Sequence, residues 1–275
     1  MAIKDLIKRA LKEDLGRGDI TTDAVVPAQQ TAKGEFVAKE DLVVAGLEVA
    51  EDVLRTVDPK VRLTARVSDG VSVKAGGILL VVEGKTRSIL KGERVALNFL
   101  ARLCGIATLT RKYVERTAGT KAKILDTRKT APLLRELDKY AVRVGGGFNN
   151  RLGLFDAVLI KDNHIAAMGG SVGVCVRKAR ERRPKAPVIV EITSAGQIDE
   201  AVSAGATRLL LDNMTDADVE RCVSKIAGRV EVEVSGGITL ERVERLAKLG
   251  VNFISVGALT HSPKAADISL ELKLP

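Results

Sequence analysis

Apolar residues recur at helical spacing at the start of the chain. Ile3, Leu6, Ile7, Ala10 and Leu11 fall on one face of residues 3–14, which predicts an amphipathic helix. The texture then changes. Residues 34–38, 61–67 and 78–82 are short β-rich runs divided by Asp-Gly and Gly-Gly turns, with a helical stretch over 46–57 among them. This block predicts a small α+β unit. A long helical stretch covers 88–118. Beyond it β-rich runs at 122–125, 140–144, 157–160, 188–190, 208–211, 230–234 and 253–256 alternate with helical segments, the later ones near 171–183, 194–204, 215–227 and 239–249. Alternation of this kind implies a parallel sheet with right-handed crossovers.

The residue after each predicted strand narrows the choice of sheet. The strand ends lead into Asp126-Thr127-Arg128-Lys129, Gly145-Gly146-Gly147, Lys161-Asp162-Asn163-His164, Glu191, Asp212, Ser235-Gly236-Gly237 and Gly257-Ala258. Every one is charged, polar or glycine-rich. A barrel gathers its active site on that rim from many strands, whereas an open doubly wound sheet concentrates it at one switch point. The pattern favours a barrel, possible with fewer than eight strands.

Composition removes several functions. A chain that is 45% hydrophobic and 29% charged has a globular profile. No apolar run reaches the roughly 18 residues of a membrane span, and the opening Met1-Ala2-Ile3-Lys4-Asp5-Leu6 contains no signal-peptide core. Cys104, Cys175 and Cys222 are scattered, which fits buried thiols in a reducing cytoplasm better than disulfides or a zinc site. The net charge of +9 admits a nucleic-acid partner, an anionic substrate or a solvated surface. The absence of Trp leaves few stacking platforms for bases, so nucleic acid is disfavoured.

Three groups of strand-end residues carry the candidate chemistry. Ser235-Gly236-Gly237-Ile238 and Ser255-Val256-Gly257-Ala258 close the last two strands, where barrels cradle a phosphate on backbone N–H groups; the plainer reading is a pair of tight turns. Glu191 and Asp212 end adjacent strands, able to hold Mg²⁺ or sugar hydroxyls, or else to cap helices. Arg128, Lys129, Arg151 and Lys161 would repel one another on one rim unless a multiply anionic ligand sat between them.

These motifs also line up, in order and nearly end to end, with a known family. Glu13-Asp14-Leu15-Gly16-Arg17-Gly18-Asp19-Ile20-Thr21-Thr22, Thr127-Arg128-Lys129-Thr130, Lys139-Tyr140-Ala141-Val142, the triple glycine, Arg151, Leu159-Ile160-Lys161-Asp162-Asn163-His164, Leu211-Asp212-Asn213-Met214, Ser235-Gly236-Gly237-Ile238 and Val256-Gly257-Ala258-Leu259-Thr260-His261 resemble quinolinate phosphoribosyltransferase, the carboxylating nicotinate-nucleotide pyrophosphorylase. The resemblance implies an open seven-stranded, TIM-like but incomplete α/β barrel over 108–264. It also implies an N-terminal α/β sandwich domain over 1–107, completed by 265–275.

The implied activity is a pentosyl transfer of NAD biosynthesis, in which quinolinate and phosphoribosyl pyrophosphate give nicotinate mononucleotide, pyrophosphate and CO₂ with Mg²⁺. Lys129, Lys161, Glu191 and Asp212 are then the catalytic set, with Glu191 and Asp212 also the metal ligands. Thr127, Arg128, Asn150, Arg151, Ser235, Gly236, Gly237, Val256, Gly257, Ala258 and His261 would complete the substrate site. The resemblance further implies a homodimer, or a hexamer built as a trimer of dimers, in which Arg94 enters the neighbour's site; neither nucleic acid nor membrane is a partner. One position departs. Where the family usually has His-Arg, this chain has Asn150-Arg151. Asparagine donates a hydrogen bond but carries no charge. A related phosphoribosyltransferase acting on a different aromatic acid is therefore the alternative.

Overall fold

The computed structural model describes residues 3–273, so Met1, Ala2 and the last two positions of the expected 265–275 tail lie outside the described residues. The chain divides into two compact units: 1–109 with 140–146 and 263–275, and 110–139 with 147–262.

The first unit is built on a four-stranded antiparallel sheet in the order Ile268–Lys273, Thr31–Ala38, Ile78–Lys85, Arg62–Ala65. Phe36, Leu80 and Val82 are fully buried in its two central strands. The helix Leu47–Val57 buries Leu47, Ala50, Val53 and Leu54, an i, i+3, i+6, i+7 stripe, with Val49 beside them. Its first N–H groups are satisfied by Asp69, which accepts from Gly46 N at 2.6 Å and Leu47 N at 3.2 Å. Tyr140 donates to the same carboxylate at 2.6 Å. The helix Ile3–Leu15 turns Ile7 and Leu11 inward, as its periodicity predicts. The returning tail needs a glycine on the helix Thr86–Glu115: a Cβ on Gly105 would stand 2.1 Å from the carbonyl oxygen of Lys264. Cys104, Cys175 and Cys222 are all buried and free, and burial pushes the Cys104 thiol up to about 12.

The second unit carries a six-stranded parallel sheet in the order Lys123–Leu125, Phe253–Ser255, Glu231–Ser235, Arg208–Asp212, Val188–Ile192, Val158–Ile160. Beside Lys123–Leu125 a seventh segment is reduced to one residue. Phe148 N donates to Ile124 O at 2.8 Å, and Asp126 N donates to Phe148 O at 3.1 Å. The result is an open α/β barrel whose seventh position is a single bridge. The strand expected at 140–144 is instead part of the helix Arg135–Val144. Leu137, Ala141 and Val142 are buried on its inner side, at helical and not alternating spacing, and a run of five residues was too short to tell the two periods apart. Val190, Leu209, Leu211, Val234 and Ile254, on the central strands, are fully buried. Among the described residues, no helix is long and apolar enough to cross a membrane.

Candidate active site

The carboxyl ends of the barrel strands surround a cavity of about 590 Å³. It brings together Thr127, Arg128, Lys129, Asn150, Arg151, Lys161, Glu191 and Asp212 with Ser235, Gly236, Gly237, Gly257, Ala258 and His261. Two expected positions lie elsewhere. Val256 is buried and does not line the cavity, and Arg94 is exposed on the helix Thr86–Glu115 in the first unit.

Two of the cations lie close together. Arg151 is half-buried; its burial, followed by the nearby Arg128 charge, holds its guanidinium below the ordinary arginine value, with Asp156 and Glu233 opposing. Two like charges so placed favour an anion between them. The loop bearing Arg128 and Lys129 is braced by its own polar groups. Lys129 N donates to Thr127 Oγ1 at 3.1 Å, Arg135 Nη2 donates to Arg128 O at 3.3 Å, and Thr260 Oγ1 donates to Lys129 O at 2.8 Å. Lys161 Nζ donates to Glu191 Oε2 at 2.8 Å.

Helix capping does not account for either acid. Thr215 caps the helix Asp216–Ile226, and Ser194 starts the short turn Ala195–Gln197 in a capping box with Gln197. Asp212 instead accepts from Asn213 Nδ2 at 2.7 Å.

The glycine loop after Glu231–Ser235 has both glycines in the left-handed region, φ 90° at Gly236 and 58° at Gly237, which turns their N–H groups along one side of the loop. Arg242 fixes it from outside, with Nη1 donating to Gly236 O at 2.8 Å and Nε to Asp216 Oδ1 at 2.8 Å. A Cβ on Gly236 would stand 2.2 Å from Asn213 Oδ1 and 2.8 Å from the backbone N of Asn213. Gly236→Ala is therefore expected to leave the barrel folded and weaken binding of a phosphate ester by about tenfold, from the strained φ and the displaced Asn213. Titration of wild type and variant with a phosphoribosyl compound reads this out, and unchanged affinity would remove the loop from the binding surface.

Several residues outside the motifs also shape the site. Glu233 lines the cavity although it is buried, and Arg135 and Arg242 hold the loops. A signal for Glu233 was present. In Glu231-Val232-Glu233-Val234 the acids alternate with buried valines, which puts both glutamates on the opposite face of the strand.

With this geometry in hand, comparison with known proteins is direct. A family model described as Quinolinate phosphoribosyl transferase, C-terminal domain, matches residues 106–271, and its N-terminal counterpart matches 19–104. The chain belongs to the quinolinate phosphoribosyl transferase family. Within the family, a nicotinate-nucleotide pyrophosphorylase [carboxylating] of Mycobacterium leprae is 46% identical over 278 residues, covering 98% of this chain and 97% of that protein. Quinolinate phosphoribosyltransferase [decarboxylating] 1 of Nicotiana glauca is 43% identical over 98% of this chain and 82% of its own length. The crystal structure of NadC from Streptococcus pyogenes superposes with a TM-score of 0.95 at 42% identity, covering 99% of this chain and 97% of that one. Open barrel and separate antiparallel sheet are thus the family's architecture in this member.

Proposed function

We propose that this member of the family transfers a phosphoribosyl group from phosphoribosyl pyrophosphate to quinolinate, with decarboxylation, in NAD biosynthesis. One observation carries the reading: four cations, three carboxylates and two glycine-rich loops from separate strands line a single cavity. Arg128, Arg151 and Lys161 would hold the two carboxylates of quinolinate, and Lys129 the pyrophosphate. The loops at Gly236-Gly237 and Gly257-Ala258 would take the 5′-phosphate. Glu191 and Asp212 would bind the ribose hydroxyls and stabilise positive charge developing at the anomeric carbon. The pyridine nitrogen forms its bond to that carbon as the bond to pyrophosphate breaks. The ring nitrogen is now cationic, so it stabilises the electron pair left on the neighbouring ring carbon when the 2-carboxylate departs as CO₂, and that pair then takes a proton from solvent. Orientation and electrostatics suffice, without a covalent enzyme intermediate.

The residues fit Mg²⁺ as a shared ion. Among the described residues no cluster of three His, Cys, Asp or Glu side chains forms a closed cage, whereas Glu191 and Asp212 face one cavity. Hard oxygen ligands in that number suit an ion completed by water and phosphate oxygens. When bound there, Mg²⁺ would neutralise the pyrophosphate as it leaves. Chelation is expected to abolish turnover, and added Mg²⁺ to restore it; full activity in excess chelator would strike Glu191 and Asp212 from the metal role.

The direct test mixes purified protein with quinolinate, phosphoribosyl pyrophosphate and Mg²⁺, and follows nicotinate mononucleotide and CO₂. No product at any pH would overturn the reading. The relatives lend no support to a different aromatic acid. Free, buried thiols support a reducing, cytoplasmic location.

The unit of function in this reading is a homodimer, alone or in a trimer of dimers, in which exposed Arg94 completes the neighbour's cation set. Arg94→Ala mixed with Lys129→Ala should regain about a quarter of native activity on subunit exchange, since one of the two sites in each hybrid, half the dimers, is intact. Demonstrated exchange without recovery would make each site self-contained.

A further inference from the structure

Glu233 is a buried carboxylate, 2% exposed, on the floor of the cavity. Its Oε1 accepts from Ser255 Oγ at 2.6 Å and from Asn150 Nδ2 at 3.0 Å. Its Oε2 accepts from Arg208 Nη1 at 3.1 Å, and the Arg208 guanidinium lies 3.8 Å from the centroid of the Phe253 ring. The negative charge is therefore paired from the side away from the two hydrogen-bond donors, and Glu233 serves as a fixed acceptor.

Asn150 is tied into this network through its side chain and its backbone. Its amide nitrogen reaches Ser255 Oγ at 3.3 Å and Glu233 Oε1 at 3.0 Å through one shared N–H bond, since those two acceptors are themselves only 2.6 Å apart. Its Oδ1 accepts from Arg151 N at 2.8 Å. Its own backbone N donates to Asp126 Oδ1 at 2.9 Å, and its carbonyl accepts from Lys139 Nζ at 3.0 Å. Through Oδ1 Asn150 holds the backbone of Arg151, the residue whose guanidinium lies near the like charge of Arg128.

We propose that Glu233, Ser255 and Asn150 form a hydrogen-bonded triangle that positions Arg151, so that Asn150 acts on acid binding through Arg151. The inference rests on the cavity being the acid-binding site of the proposed reaction. Holding Arg151 in place before the acid arrives removes an ordering cost from binding. The effect belongs in KM for the acid, and KM for phosphoribosyl pyrophosphate should stay constant.

A mutant cycle tests this. Steady-state kinetics with quinolinate are measured for wild type, Asn150→Ala, Arg151→Ala and the double variant. Asn150→Ala is expected to raise KM for quinolinate by about tenfold in the native background and by no more than about twofold where Arg151 is already alanine. Glu233→Gln should behave like Asn150→Ala, and combining the two should be no worse than the worse single change. A penalty of Asn150→Ala that persists in full without Arg151 would overturn the inference, because Asn150 would then be contacting the acid. Thermal melts identify any variant that fails to fold, and should Glu233→Gln fail, the Asn150/Arg151 cycle decides alone. Crystal structures of wild type and Asn150→Ala without substrate form the second arm. A displaced Arg151 supports the triangle, and an unmoved one refutes it. Absence of turnover in wild type would sink the functional reading, while the position of Arg151 in the two crystals would still decide this one.

Discussion

Replacing Lys161 by alanine is expected to lower kcat/KM for quinolinate by on the order of 10²–10³-fold, because one ammonium serves two sides of the cavity. Lys161 Nζ donates to Glu191 Oε2 at 2.8 Å and faces the same space as Arg128 and Arg151. Its removal takes a cation from the acid and frees Glu191 from the partner that holds its carboxylate in place. Lys161→Arg keeps the charge but replaces a point charge by a planar fork, so it should recover only part of the loss. Steady-state kinetics over both substrates check this. A loss of less than threefold would move the acid's binding site away from Lys161 and with it the proposed arrangement of the whole rim.

The largest expected effect on stability is at Lys139. This side chain is 2% exposed and pairs with Asp126, which is fully buried. Asp126 also accepts from Asn149 Nδ2 and Asn150 N. Lys139→Met keeps the volume but strands a buried carboxylate, a change that costs about 3–5 kcal/mol. For a chain of this size that is a fall in Tm of roughly 6–20 °C. The pH dependence follows from sign. Burial already raises the Asp126 carboxyl above the ordinary carboxylate range, with Lys139 the leading opposing influence. Loss of Lys139 raises it further. A carboxyl whose folded pKa exceeds its unfolded one binds more protons when folded, so its penalty is present at neutral pH and shrinks as pH falls through the folded value. The deficit of Lys139→Met relative to wild type should therefore narrow on acidification. A deficit that widened instead would mean that Asp126 is held charged by its amide donors alone.

Much of this molecule can be read from periodicity. Ile7 and Leu11 on the first helix, the barrel strands other than the one expected at 140–144, and the polar or glycine residues at the ends of those strands stand where the chain's pattern puts them. Strand ends are legible because a parallel barrel delivers them to one rim whatever the loops do. The helix Arg135–Val144 is hard to read from the sequence because Tyr140–Val144 spans little more than one turn, too few positions to separate the two periods. The seventh barrel position, a single residue at Phe148, has no periodicity to detect. Asn150 shows a different limit. Its identity suggested a ligand for the acid, but its partners, Glu233 and Ser255, stand 83 and 105 residues away in the chain, and only the fold brings them within hydrogen-bond reach.

In this account one cavity holds acid, ribose and phosphate in a fixed order, with Arg128, Arg151 and Lys161 on the acid and the glycine loops on the phosphate. A crystal structure with bound nicotinate mononucleotide tests this most directly, since that one molecule carries all three groups. Its phosphate should lie on the N–H groups of Gly236-Gly237 and Gly257-Ala258, its ribose against Glu191 and Asp212, and its ring carboxylate among Arg128, Arg151 and Lys161. A nucleotide bound in the reverse direction, or outside this cavity, would contradict it.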